Sequence, residues 1–159
     1  MSIVSRNLPE NLPEQSTRPA SSVRSLWLIS LMAGVVATGV DFLIATIATP
    51  LVHAPAGYPS FTWLPLLSGC MLGSIGGAST YLLLTRTVAR PRKAFLCVAV
   101  GVLLASYVLP ILPILNPLPR FAGVNWAIAF TLMGIHTVTA IIIVGSLLLW
   151  RPATPRIQN

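Results

Sequence analysis

The sequence predicts an all-α protein, a four-helix transmembrane bundle preceded by a disordered N-terminal tail, and three observations predict it. Four long apolar runs divide the chain, charged residues are scarce, and the basic ones gather in the flanks of those runs. Of the 159 residues, 55% are hydrophobic and 8% charged, where a typical soluble domain carries about 25% charged. So few charges cannot cover a water-facing surface, and lipid is expected to contact most of the outside.

Residues 1–24 are polar, contain Pro9, Pro13 and Pro19, and show no helical or strand periodicity. They are expected to form a disordered cytoplasmic tail. Within them Asn7-Leu8-Pro9-Glu10 repeats at once as Asn11-Leu12-Pro13-Glu14, which reads as a small duplication or, more sharply, as a short docking motif. The four-helix domain is expected over residues 25–150, with spans at about 25–49, 63–85, 94–112 and 126–150 and a short cytoplasmic tail over 151–159. Each span is near the ~20 residues a helix needs to cross hydrocarbon. Backbone groups in lipid must be satisfied internally, and runs this long do so as helices. Pro110 and Pro113 are expected to kink or end the third span. The first run is far longer than the h-region of a cleaved signal peptide, so it is read as an uncleaved span.

The net charge of +7 could suggest nucleic acid. A nucleic-acid face needs a basic stripe with interleaved aromatics on a folded surface, and the sequence has none. Instead Arg6, Arg18 and Arg24 precede the first span, Arg86, Arg90, Arg92 and Lys93 separate the second from the third, and Arg151 and Arg156 follow the fourth. Arg120 alone falls on the other side. Lysine and arginine mark the cytoplasmic side, so both termini are expected there, in a multi-pass protein of the cell membrane. Trp27, Trp63, Trp126 and Trp150 all lie at span ends, where interfacial aromatic belts sit.

Asp41 is the one acidic residue inside the spans and His136 the one histidine. At 1.5 Å per residue, Asp41 lies about 22 Å from the cytoplasmic edge and His136 about 21 Å from it. They are therefore expected at similar depth, where they would face each other if the first and fourth helices are neighbours. A lone carboxylate in hydrocarbon costs several kcal/mol. The pair reads either as polar glue that fixes helix register or as a proton-responsive couple linked to transport or helix movement. No second carboxylate extends it across the membrane, which favours glue. Ser106 and Tyr107, at about 20 Å depth, are candidate supporting polar groups at that level.

Small residues mark where helices approach. Gly69, Gly73 and Gly77 form a repeated GxxxG in the second span, a stripe expected to pack on another helix, within the monomer in preference to a homodimer. In the first span Ala33, Ala37, Asp41 and Ala45 repeat every four residues, which places Asp41 on an internal face. Cys70 and Cys97 differ too much in depth to pair and read as buried small hydrophobes. Two Cys, two His and one intramembrane Asp, scattered along the chain, do not make a metal site. His53 and Arg120 lie in short proline-rich outer connections, where loop residues are mostly inert.

The order of these features resembles a family of small bacterial four-helix membrane proteins known only as a domain of unknown function. The resemblance covers about residues 25–150. It rests on Asp41 in the first span, the Leu64-Pro65 entry and glycine-rich second span, the Arg90-Pro91-Arg92 turn, Ser106 followed by Pro110, and His136. The first-span position is commonly Asn in that family, so Asp41 departs from it. The resemblance implies the bundle and no activity.

The expected function is that of a structural or accessory membrane component, with the Asp41–His136 pair inside the bundle and the bilayer, a membrane-protein partner or a second copy as its partners. The alternative is a small proton-coupled transporter or channel-like protein. An enzyme or haem carrier is disfavoured, because the spans lack paired histidines, a nucleophile with a base and a metal-ligand cluster. No catalytic residue, metal or cofactor is expected.

Overall fold

The computed structural model describes residues 20–55, 57–116, 119–121 and 123–150. The tandem repeat of the N-terminal tail and the C-terminal residues 151–159 lie outside them. Five α-helices follow in order: α1 Ala20–Leu51, α2 Trp63–Thr87, α3 Pro91–Ser106, α4 Val108–Leu115 and α5 Trp126–Leu149. Among the described residues there is no strand. Four spans are long and apolar enough to cross a membrane, α3 and α4 together forming the third.

α1 starts at Ala20, so residues 20–24 are helical and do not belong to the tail expected there. Once Leu26 packs, adding a turn outward fixes one residue per hydrogen bond and costs little. The third span also begins early, with Pro91 in its first turn, where a missing N–H removes no hydrogen bond. It breaks at Tyr107, before Pro110 itself. Pro110 cannot donate to the Ser106 carbonyl four residues back, and its ring presses on that carbonyl, so the discontinuity falls one turn upstream.

The chain runs up, down, up and down, with α1 packed between α2 and α5. At the basic end, Leu26, Tyr81, Phe95 and Leu147 share a buried cluster. There Trp150 donates from Nε1 to Ser25 Oγ at 3.0 Å, joining the start of α1 to the end of α5. Tyr81 meets both Phe95 and Trp150 edge-on. At the opposite end Ala45, Tyr58, Leu66 and Ile128 are buried together. Asn125 caps α5 by accepting from Ile128 N–H at 2.9 Å and donates to the Val52 carbonyl at the end of α1.

The outward faces are apolar too. Leu28, Met32, Val36, Leu43 and Ile47 line the exposed side of α1, a continuous patch that water would not tolerate and lipid does. Burial inside such a bundle gains mainly van der Waals packing and polar contacts, because lipid tails are as apolar as the core.

Candidate functional site

The polar groups of the core lie between and within the two clusters. On α1, Ala33, Ala37, Asp41 and Ala45 are all buried, one face of small residues with a carboxylate in it. Asp41 is 1% exposed. Its Oδ2 accepts from two helices at once, from Cys70 Sγ of α2 at 3.2 Å and from Thr139 Oγ1 of α5. Its Oδ1 is buried with no hydrogen-bond partner. One carboxylate oxygen thus ties three helices together, and the other is left free.

His136 does not bond Asp41. Its Nδ1 meets the Leu132 carbonyl of its own helix at 2.7 Å, and the imidazole stays within electrostatic reach of the carboxyl. The expected face-to-face pair is therefore corrected: Asp41 takes Thr139, one turn further along α5. Helical side chains lean toward the N-terminus of their own helix. In antiparallel α1 and α5 the carboxyl leans toward the basic end and the hydroxyl away from it, so the pair that meets is offset from equal depth. The same lean folds the imidazole back onto the Leu132 carbonyl.

The supporting residues divide. The Tyr107 phenol and Thr137 hydroxyl lie 2.7 Å apart, which joins the break between α3 and α4 to the residue after His136. Ser106 instead donates to the Leu103 carbonyl at 2.7 Å and reaches neither Asp41 nor His136 by a hydrogen bond.

The glycine stripe meets another helix along part of its length. Cys70, Ser74 and Ala78, one position round from Gly69, Gly73 and Gly77, form the buried face of α2. A Cβ at Gly69 would meet nothing within 4 Å, and one at Gly73 would only touch Ile143; Gly77 alone packs closely, against Leu147 and Ile143. The tight helix approach is elsewhere, at Gly34 of α1, where a Cβ would lie 3.0 Å from Ser74 Cβ. Beside it Ser30 and Ser74 each donate to the other's backbone carbonyl, across α1 and α2. Sequence reasoning missed Thr139, Ser30, Ser74 and Gly34. The traces were a second stripe at four-residue spacing through Cys70, Ser74 and Ala78, and Ser30 extending the internal face of α1.

The glycines do shape something: a cavity of about 890 Å³ between α2, the α3–α4 segment and α5. Gly69, Gly73, Gly76 and Gly77 lie along its α2 side, Ser106 on α3, His136 and Thr139 on α5, and Asp41 at its wall. Cys97 faces outward and is exposed, contrary to the expected burial, whereas Cys70 is buried as a donor to Asp41. His53 lies in the turn that follows α1. Among the described residues no three His, Cys, Asp or Glu side chains converge as a metal site would need.

A family described as of unknown function, DUF6069, matches residues 21–153. No curated protein and no solved structure matches the chain significantly.

Proposed function

The chain belongs to that family of unknown function, and from its own geometry we propose that it is a structural or accessory component of the cell membrane, in which the Asp41 cluster locks the bundle. The observation that carries this reading is Oδ2 of Asp41 accepting from α2 and α5 together. A polar group in hydrocarbon that has partners on two other helices resists both sliding and rotation, because either motion strands it unsatisfied. The reciprocal Ser30–Ser74 contact supports the same role between α1 and α2. Both chain ends belong in the cytoplasm on this reading, since nine of the ten basic residues flank one end of the spans.

The test is a double-mutant cycle on stability in detergent. Thr139→Val, which keeps shape and removes the donor, is expected to cost about 0.6 to 2 kcal/mol. In an Asp41→Ala background the same change is expected to cost almost nothing. His136→Gln is expected to cost less than Thr139→Val, since among the described residues His136 makes its hydrogen bond within its own helix. Additive effects at positions 41 and 139 would sink the locking role.

A further inference from the structure

The cavity beside Asp41 is not explained by packing. Four glycines of α2 border it, and at Gly69 and Gly76 there is room for a side chain that the sequence does not supply. Its volume of about 890 Å³ is within the range of small-molecule sites, about 300 to 1,000 Å³. The lining is mostly apolar and includes no lysine or arginine among the described residues. In its wall stands a carboxyl side chain 1% exposed, with one oxygen committed to two helices and the other without a partner. An unpaired carboxylate oxygen shielded from water calls for a donor, and a cationic donor supplies the counter-charge as well. His136, also in the lining, holds Nδ1 against the Leu132 carbonyl. A neutral ring there carries its proton on Nδ1 and leaves Nε2 as a second acceptor.

We propose that this cavity binds an amphipathic primary amine, its ammonium on Oδ1 of Asp41 and its apolar body along the glycines of α2. The ammonium has three donors, enough to serve both the carboxylate and the imidazole. The site uses the oxygen that the helix contacts leave free, so it is separate from the locking role. Two sources share this chemistry: a free hydrophobic amine and the ethanolamine headgroup of a lipid.

The test is fluorescence titration of the full chain in nanodiscs of phosphatidylcholine and phosphatidylglycerol with dansylcadaverine, a hydrophobic primary amine, against its N-acetylated form. Saturable binding of the amine is expected, at least tenfold tighter than of the acetylated form. Gly69→Leu, whose side chain enters the open space, is expected to abolish binding with the melting temperature maintained. Asp41→Asn is expected to weaken binding at least tenfold. In that variant the amide oxygen takes over the Thr139 and Cys70 contacts, and an NH₂ donor replaces the free acceptor. Adding phosphatidylethanolamine to the nanodiscs separates the sources: competition assigns the site to the lipid headgroup, and unchanged binding to a free amine. Equal binding of both probe forms, signal no greater than in empty nanodiscs, or full binding by a stably folded Gly69→Leu protein would overturn the proposal. Locking is read separately, from the stability of Thr139→Val.

Discussion

The two oxygens of Asp41 have different fates: Oδ2 takes donors from Cys70 and Thr139, and Oδ1 takes none. That asymmetry was not legible in the sequence. Asp41 stood out as an acid among apolar residues, but Thr139 is one threonine among several on α5, most of which satisfy themselves on their own helix: Thr131 and Thr137 donate to carbonyls four residues back. Only the neighbouring helix decides which hydroxyl turns outward. His53 makes the opposite case. It sits at φ 53°, and Ala54 N–H reaches back to the Thr49 carbonyl, the closing bond of a helix end with a left-handed residue. A histidine there carries steric strain that glycine does not. We therefore expect His53→Gly to raise stability by about 0.5 to 1 kcal/mol, read as the midpoint of unfolding in detergent. A clear loss on substitution would mean that the imidazole itself makes a contact of value.

The contact between α1 and α2 depends on which stripe of α2 faces inward. A spacing of four fits both Gly69-Gly73-Gly77 and Cys70-Ser74-Ala78, and the two differ by one residue, about 100° of helix rotation. The serine stripe faces α1, whereas the glycines meet α5 at Gly73 and Gly77 and open space at Gly69. Substitution distinguishes the two surfaces. Gly34→Ala pushes against Ser74 and Met71 and is expected to lower stability by about 1 to 3 kcal/mol. Gly69→Ala meets nothing and is expected to be neutral or stabilising by up to about 1 kcal/mol, through helix propensity. Thermal unfolding of the two variants side by side checks this, and the reverse order would put the glycine stripe back in the packed interface. The third span is the loosest element. In its most apolar stretch 11% is buried, against 33% for α1, and it is broken at Tyr107. Local opening follows low packing, so amides of Pro91–Leu115 are expected to exchange hydrogen faster than those of α1 in detergent. Uniform protection would show that the break at Tyr107 does not loosen the segment.

At the scale of the whole molecule, one end gathers the charge. Arg24, Arg86, Arg90, Arg92 and Lys93 are all exposed and belong to the end that Trp150 and Ser25 close. Trp63 and Trp126 open α2 and α5 at the opposite end. This distribution is what sets orientation in a bilayer. A fluorescent protein fused after Asn159 is expected to mature and glow, and alkaline phosphatase at the same place is expected to be inactive. Active phosphatase there would reverse the orientation. The bundle also places the cavity. α1 is clasped by α2 and α5, and the third span leans on those two less closely, across a face from which α2 withholds its side chains.

The four spans and the helical class were determined by the sequence, because hydrocarbon thickness and the need to satisfy backbone groups leave a run of some twenty apolar residues a single form. The internal face of α1 was legible for a related reason: small residues and one acid at helical spacing exclude lipid. The partner of Asp41, the stripe of α2 that packs and the cavity behind its glycines were decided only by tertiary structure. Each depends on the rotation and tilt of one helix against another, and in lipid those are set by side-chain fit and by which polar groups find each other, with almost no hydrophobic pattern to announce them.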